Sequence, residues 1–487
     1  MRYPLFYSTI LFTSFLMASC KSTTSNTHDA TASSRPIIGA ETKPMWLAGD
    51  HHIHGKYSAK WDWSTTPPTP ILRGDAQYAT ALYAQMAKHH NLSWMVTTDH
   101  GGPGHSSVNL EYAYPELVAS RKATPEVLQF YGMEFDTPGA RHCSLMIPFS
   151  ETEAEQLFRL ESQFNRREVE PDTASRDTDE FMLQALKAMQ EEQKPPILIV
   201  NHPARLAKKL SSFKKVTPQK LRKWQDTAPD VVIGMEGAPG HQANALNPDG
   251  SIRKSGLRGG YNDFPTMGGF DQMTAVVGGV WDSLLSEGRR WWITAASDSH
   301  MHYTEGRTDF WPGEYSKTYV FARKQYDDIM QAMREGKMFA TTGDLIDSLS
   351  VKASVEKGQA ADIGETIEIK SGESISIEVK FRDPDTLNFG RQNPSVERVD
   401  VIIGMVSSDV AAAPSPVVHR FTSKDWHVDG QFRTIKMDIE AVKHAQYVRI
   451  RGTNNKNELE PQIDTAGEDP WADLWFYSNP VFISVKE

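Results

Sequence analysis

Seven apolar, strand-like runs lie between residues 45 and 300, and nearly all of them deliver a histidine or a carboxylate at or near one end. They are MWLAGDHHIH (45–54), LSWMVTTDH (92–100), VLQFYGMEF (127–135), HCSLMIPF (142–149), PILIVNHP (196–203), VVIGMEG (231–237) and WWITAASDSH (291–300). Helix-like segments at 75–90, 179–193, 218–228 and 280–290 separate them, the alternation expected of a parallel α/β architecture. Seven strands fit a barrel, and in such folds functional groups project from the carboxyl ends of the strands. Twelve of the 16 histidines fall between His51 and His302, a clustering that points to a site and not to scattered surface residues.

Two stretches leave this scaffold. Residues 151–192 are polar and helical in character. Residues 237–279 hold ten glycines and follow a strand end, so they read as a loop over the cleft. Their Arg253, Arg258 and Tyr261 are either substrate contacts or ordinary surface polar groups. After Gly343 the texture changes to short alternating runs such as TIEIKSGESISIEVKFRD and DLWFYSNPVFISV, which predict a C-terminal β-sandwich domain over 344–487 with a structural or positioning role.

The first 19 residues read as an export signal: Arg2, an apolar run from Leu5 to Met17, then small residues. The ending LMASC resembles a lipobox, which would make Cys20 the lipidated residue and 20–43 a flexible polar tether; a simple cleaved secretory signal is the alternative. The expected location is therefore the cell envelope, as a lipoprotein held to the membrane by its lipid alone. Lys21 after the cysteine resembles outer-membrane sorting, facing the periplasm or the cell surface. With only two cysteines, stability must come from the core. A net charge of -10, from 62 acidic against 52 basic residues, argues against nucleic acid as a general partner.

Alternate residues of a strand face the same side, so His52 and His54 can converge on one metal while His51 faces away. TTDH adds Asp99 and His100, GMEF adds Glu134, RHCS adds His142, NHP adds His202, and SDSH adds Asp298 and His300. Singly, each is satisfied as a turn carboxylate or a hydrogen-bonded histidine. Jointly they read as a metal centre. A carboxylate such as Glu134 can bridge two cations, and the absence of thiolates favours Zn, Mn or Fe in an open catalytic site over a closed structural zinc.

The ordered set GDHHIH, TTDH, GMEF, RHCS, NHP and SDSH resembles the PHP (polymerase and histidinol phosphatase) metal-dependent hydrolases, within them the CehA/McbA-like branch, over about residues 45–343. The resemblance implies a distorted seven-stranded (β/α) TIM-like barrel, residues 44–343, carrying two or three divalent cations. One cation would take His52, His54, Glu134 and Asp298, and a second would share Glu134 and add His142 and His202. A third would use His100, His300 and a ligand shortly after the HxH. Lys60 stands where three-metal members carry that histidine, and a protonated lysine cannot ligate a cation, which leaves Asp62 to reach the site. Asp99 reads as a catalytic-site residue that orients ligands, and Glu236 is left without a role. The amidohydrolases also open with HxH, but their bridging carboxylated lysine has no counterpart at these strand ends.

The leading expectation is hydrolysis of a small phosphate ester by a hydroxide held between two cations about 3.5–4 Å apart. Lys60, Arg205 and Arg307 are candidate phosphate-binding residues, and His302, followed by Tyr303, is placed to protonate a leaving group. The alternatives are a carbamate or carboxyl-ester hydrolase on the same metals, and a non-catalytic lipid-tethered binding protein.

Overall fold

In the computed structural model, which describes residues 43–261, 264–356, 358–407 and 414–486, each of the seven apolar runs contains a strand. These are β1 (Met45–Asp50), β2 (Trp94–Val96), β3 (Leu128–Asp136), β4 (His142–Ile147), β5 (Ile197–Val200), β6 (Val232–Ala238) and β7 (Trp292–Ala295). All nine residues of β3 are buried, as are all of β5, β6 and β7. That is why they read as near-continuous apolar runs and not as alternating ones. The helices come where expected, at Thr80–His89, Asp179–Gln190, Pro218–Thr227 and Val280–Ser286. Two have side-chain caps: Thr178 accepts from Phe181 N, and Thr217 accepts from Lys220 N with Pro218 at the first helical position. The lipidation residue Cys20 lies outside the described residues, and among those residues no helix is long and apolar enough to cross a membrane.

The strands do not close into the expected TIM-like barrel. They lie in the order β7-β6-β5-β4-β3-β2-β1, continue into β8 (Ser316–Ala322) and β9 (Met338–Thr342), and run on through Trp475–Ser478, Gln446–Thr453, Arg398–Met405 and Val417–Thr422 within one mixed sheet of 16 strands. β4 is antiparallel to both neighbours. Closure would need a ladder between β1 and β7, but β8 occupies the outer edge of β1, antiparallel over Met45–Gly49. The outer edge of β7 is met by side chains instead. Asn479 accepts from Ile293 N at 2.8 Å and donates to Ile293 O at 3.3 Å, while the Thr318 hydroxyl bonds both N and O of Ala295 at 2.8 Å. Beyond the strands, a single bridge joins Ile53 to Ser299.

The C-terminal part also departs from a self-contained sandwich. One layer is a sheet of five strands that includes Ser348–Ser354, Glu373–Arg382 and Phe432–Val442. Along Glu373–Arg382 the alternate residues Ile375, Ile377, Val379 and Phe381 are buried. They share a core with Val399, Val401, Val448, Ile450 and Phe476, which belong to the extension of the large sheet. The second layer is therefore a continuation of the sheet that carries β1 to β7. The same core takes in Ala48, Tyr319 and Phe339 from the N-terminal part.

Candidate metal centre

The site begins where β1 ends. The Asp50 carboxylate accepts from His52 N at 3.0 Å and from Ser297 N at 3.1 Å, tying the end of β1 to the turn after β7; burial raises its pKa to about 7. His51 turns away, to Ser144 Oγ at 3.1 Å and Thr294 Oγ1 at 2.8 Å, as strand alternation requires. His52 and His54 face each other with their Nε2 atoms 3.0 Å apart, and Asp298 Oδ1 lies 3.1 Å from both.

Glu134, buried on β3, is the hub. Its Oε1 lies 3.1 Å from His52 Nε2, 3.2 Å from His142 Nδ1 and 3.2 Å from His202 Nε2; its Oε2 lies 2.8 Å from His100 Nδ1. Burial acts to raise Glu134, but His142, His100 and His52 hold it well below the usual carboxylate range. Despite these short distances, His100 Nδ1, His142 Nδ1 and Glu134 Oε2 make no hydrogen bond of acceptable geometry. Glu134 Oε1 does accept from Asn201 Nδ2 and bonds His202 Nε2, but three crowded donor atoms left unbonded are an arrangement that a cation satisfies. Among the donor sets whose ligand atoms lie within 4.8 Å of one another are His52, His54 and Asp298; Glu134, His142 and His202; His54, His100 and His300; His100, Asp136 and His142; and His241, His300 and Asp309. All donors are N or O, so these residues fit divalent cations of the Zn, Mn or Fe kind. Two ligand positions, His202 (φ 30°) and Asp298 (φ 47°), hold left-handed backbone that non-glycine residues rarely adopt, strain typical of functional sites.

The surrounding groups fix the ligands. Glu236 Oε1 lies 2.6 Å from His52 Nδ1 and Oε2 accepts from His202 N at 2.6 Å, so one carboxylate orients two ligands. Asp99 accepts from Gly55 N at 2.6 Å and from Ser58 Oγ at 3.1 Å, and Ser58 Oγ stands 3.0 Å from His54 Nδ1. Burial raises Asp99 to about 6. Through Ser58, whose Oγ also accepts from His100 N at 2.9 Å, it positions His54 and the backbone of His100.

Several expected residues are placed elsewhere. His302 lies 2.8 Å from Glu314 Oε2 and 2.6 Å from Thr304 Oγ1, stacked on Trp311 and outside the cluster. Lys60 is exposed on a ribbon formed by Lys60–Asp62 and Thr69–Ile71, and Asp62 turns its carboxylate to Ser64. The carboxylate that does meet His100 and His300 is Asp75, with Oδ2 at 3.8 and 3.7 Å from their Nε2 atoms. Its one sequence signal was its place as the first residue of the expected helical segment 75–90, whereas the helix itself begins at Thr80. Arg258 is buried between Tyr315, Glu468 and Asp473, Tyr261 donates to Asp271, and Arg253 donates to Asn244.

A cavity of about 420 Å³ opens over the cluster, lined among others by Arg141, Arg205, Arg307 and His241. Arg205 donates to Asp298 Oδ2 at 3.0 Å, and Arg307 is exposed on the cavity wall. His241, unassigned from sequence because it sits in the glycine-rich excursion, lies 3.0 Å from Asp298 Oδ2 and bonds Asp309 through Nδ1. Burial lowers its pKa, but Asp298 and Asp309 outweigh that and raise it to about 10.

No family model and no curated protein matches the chain. Among solved structures, the chain is similar to one in the crystal structure of an Endonuclease Q complex with a 27-mer duplex substrate carrying an abasic lesion. The identity is 11%, the TM-score 0.30, and the match covers 60% of this chain and 57% of that one. So distant a likeness carries no argument about this protein's activity. The expectation against nucleic acid as a general partner rests on the net charge alone, and nothing in this likeness supports it.

Proposed function

We propose that the protein is a metal-dependent hydrolase of phosphate esters, a PHP-type enzyme of the CehA/McbA-like branch. The observation that carries the reading is the crowding of imidazole nitrogens around Glu134 at 2.8–3.2 Å, with ring and carboxylate atoms left without hydrogen-bond partners. His52, His54, Glu134 and Asp298 would hold one cation; Glu134, His142 and His202 a second; His100, His300 and Asp75 a third. When bound, such cations lower the pKa of water and offset charge developing on the ester oxygens. The chain's own residues do the rest. Glu236 and Asp99 keep the imidazoles in one tautomer and orientation, Arg205 reaches the cluster beside Asp298, and the surrounding wall admits a small ester. His241, held between Asp298 and Asp309, faces the same cavity.

Elemental analysis of the purified full chain, paired with a panel of phosphate, carboxyl and carbamate esters, tests this. Two or three cations per chain with phosphate-ester turnover are expected, and the His52→Ala, His54→Ala variant should lose the turnover and at least one cation per chain. Turnover of neutral esters alone by a metal-loaded sample would overturn the phosphoesterase choice, and unchanged metal content in the variant would overturn the metal centre.

A further inference from the structure

Among the described residues, two cations on the cavity wall make no hydrogen bond or ion pair: Arg307, which is exposed, and the half-buried Arg141. Arg141 lines the cavity next to His142, and among the described residues its guanidinium makes no hydrogen bond or ion pair; its Nε is buried and unpartnered. Arg205 stands near it with its own Nε also buried and unpartnered. Arg166, on the Arg166–Val169 turn, leaves its Nε in the same state and approaches Asp136 only to 4.0 Å and Asp177 to 3.6 Å. Arg205 and Arg166 are close enough to repel Arg141, and Glu134 and Asp136 to attract it, but no carboxylate comes within ion-pair distance of its guanidinium among the described residues.

Buried donors left unpaired in a cationic cleft, as the Nε atoms of Arg141, Arg205 and Arg166 are, are unfavourable unless an anion completes the group. The guanidinium fork matches the spacing of phosphate oxygens. A neutral carbamate or carboxyl ester has no charge to offer it. Resting on the hydrolase reading, we propose that Arg141 is the specificity-determining residue of the cavity: it binds a non-bridging oxygen of the substrate's phosphoryl group, beside Arg205, and so selects oxyanionic esters over neutral ones. A terminal phosphate suits this arrangement best, because its third non-bridging oxygen stays available to Arg141 when two face the ligand cluster. Arg141 makes no hydrogen bond or ion pair to any candidate ligand, so cation content read beside the inhibition constant separates its role from metal binding.

The test uses the metal-loaded full chain with p-nitrophenyl phosphate as substrate and inorganic phosphate as inhibitor, comparing wild type with Arg141→Gln and Arg141→Lys. Loss of one charge-assisted hydrogen bond predicts that Arg141→Gln raises KM and the inhibition constant of phosphate by about ten-fold or more, with cation content unchanged. Arg141→Lys, which keeps the charge and loses the fork, should fall between. An inhibition constant within about two-fold of wild type in both variants, at full cation content, would overturn the assignment, since a charged hydrogen bond is worth more than that. If Arg141→Gln loses its cations, Arg141→Lys decides alone. Wild-type turnover confined to p-nitrophenyl acetate would instead sink the phosphoesterase reading, so the two failures are distinguishable.

Discussion

Asp75 and Lys60 show what sequence spacing can and cannot deliver about a side chain. The ligands at strand ends were legible because a strand fixes where its last residue points, and His52, His54, His100, Glu134, His142, His202, Asp298 and His300 do gather. Lys60 was singled out by resemblance, at the position where a third metal's histidine is expected, yet the ribbon it sits on leaves it exposed, and Asp75 comes back to meet His100 and His300. Arg141, His241 and Asp309 escaped notice for the same reason: each sits in a connection whose path no periodicity describes. Asp75→Asn is expected to lower cation content by about one per chain while the other cations stay, because a carboxylate ligand is lost from one donor set only. Lys60→Ala should leave the content unchanged. Elemental analysis after metal loading reads both.

At the scale of elements, strand identity was readable and strand closure was not. The apolar runs announce β1 to β7, but what covers the outer edge of β7 is Asn479, 186 residues beyond Ile293. Thr318→Val and Asn479→Leu should each cost about 1–3 kcal/mol, the penalty of leaving buried backbone groups unpaired. Denaturant unfolding measures the cost, and faster amide exchange at Ala295 and Ile293 respectively locates it. A second element-level device ties the helix Glu153–Phe164 to the loop after His100: Glu161 Oε1 lies 2.6 Å from His105 Nδ1 in a buried pair. Burial lowers His105, but Glu161 outweighs it and raises the pKa to about 9. A raised histidine contributes stability in full below its unfolded value near 6.5 and loses it as pH climbs through about 9. Thermal stability should therefore fall between pH 6.5 and 9, and Glu161→Gln should flatten that part of the profile. A wild-type melting temperature that stays level or rises across that window would contradict the account.

Across the whole molecule, the change of texture at Gly343 marks a change of burial pattern, and the hydrogen bonding runs straight through it. β9 pairs with Trp475–Ser478 from Phe339 to Thr341. Arg449 donates twice to Asp282 at 2.7 Å, joining the strand Gln446–Thr453 to the helix Val280–Ser286. Both contacts are buried, and one apolar core includes residues from either side of 343. A chain ending at residue 343 is accordingly expected to lose cooperative unfolding and bind apolar dyes, whereas the full chain should unfold in one transition by calorimetry. Two separate transitions in the full chain would contradict this. The reach of Asn479 back to Ile293 also sets an order of events during synthesis. The β7 edge, three residues before the candidate ligand Asp298, receives a backbone partner that is translated 186 residues after Ile293. A nascent polypeptide halted before that point has every proposed ligand already translated and no finished scaffold to aim them.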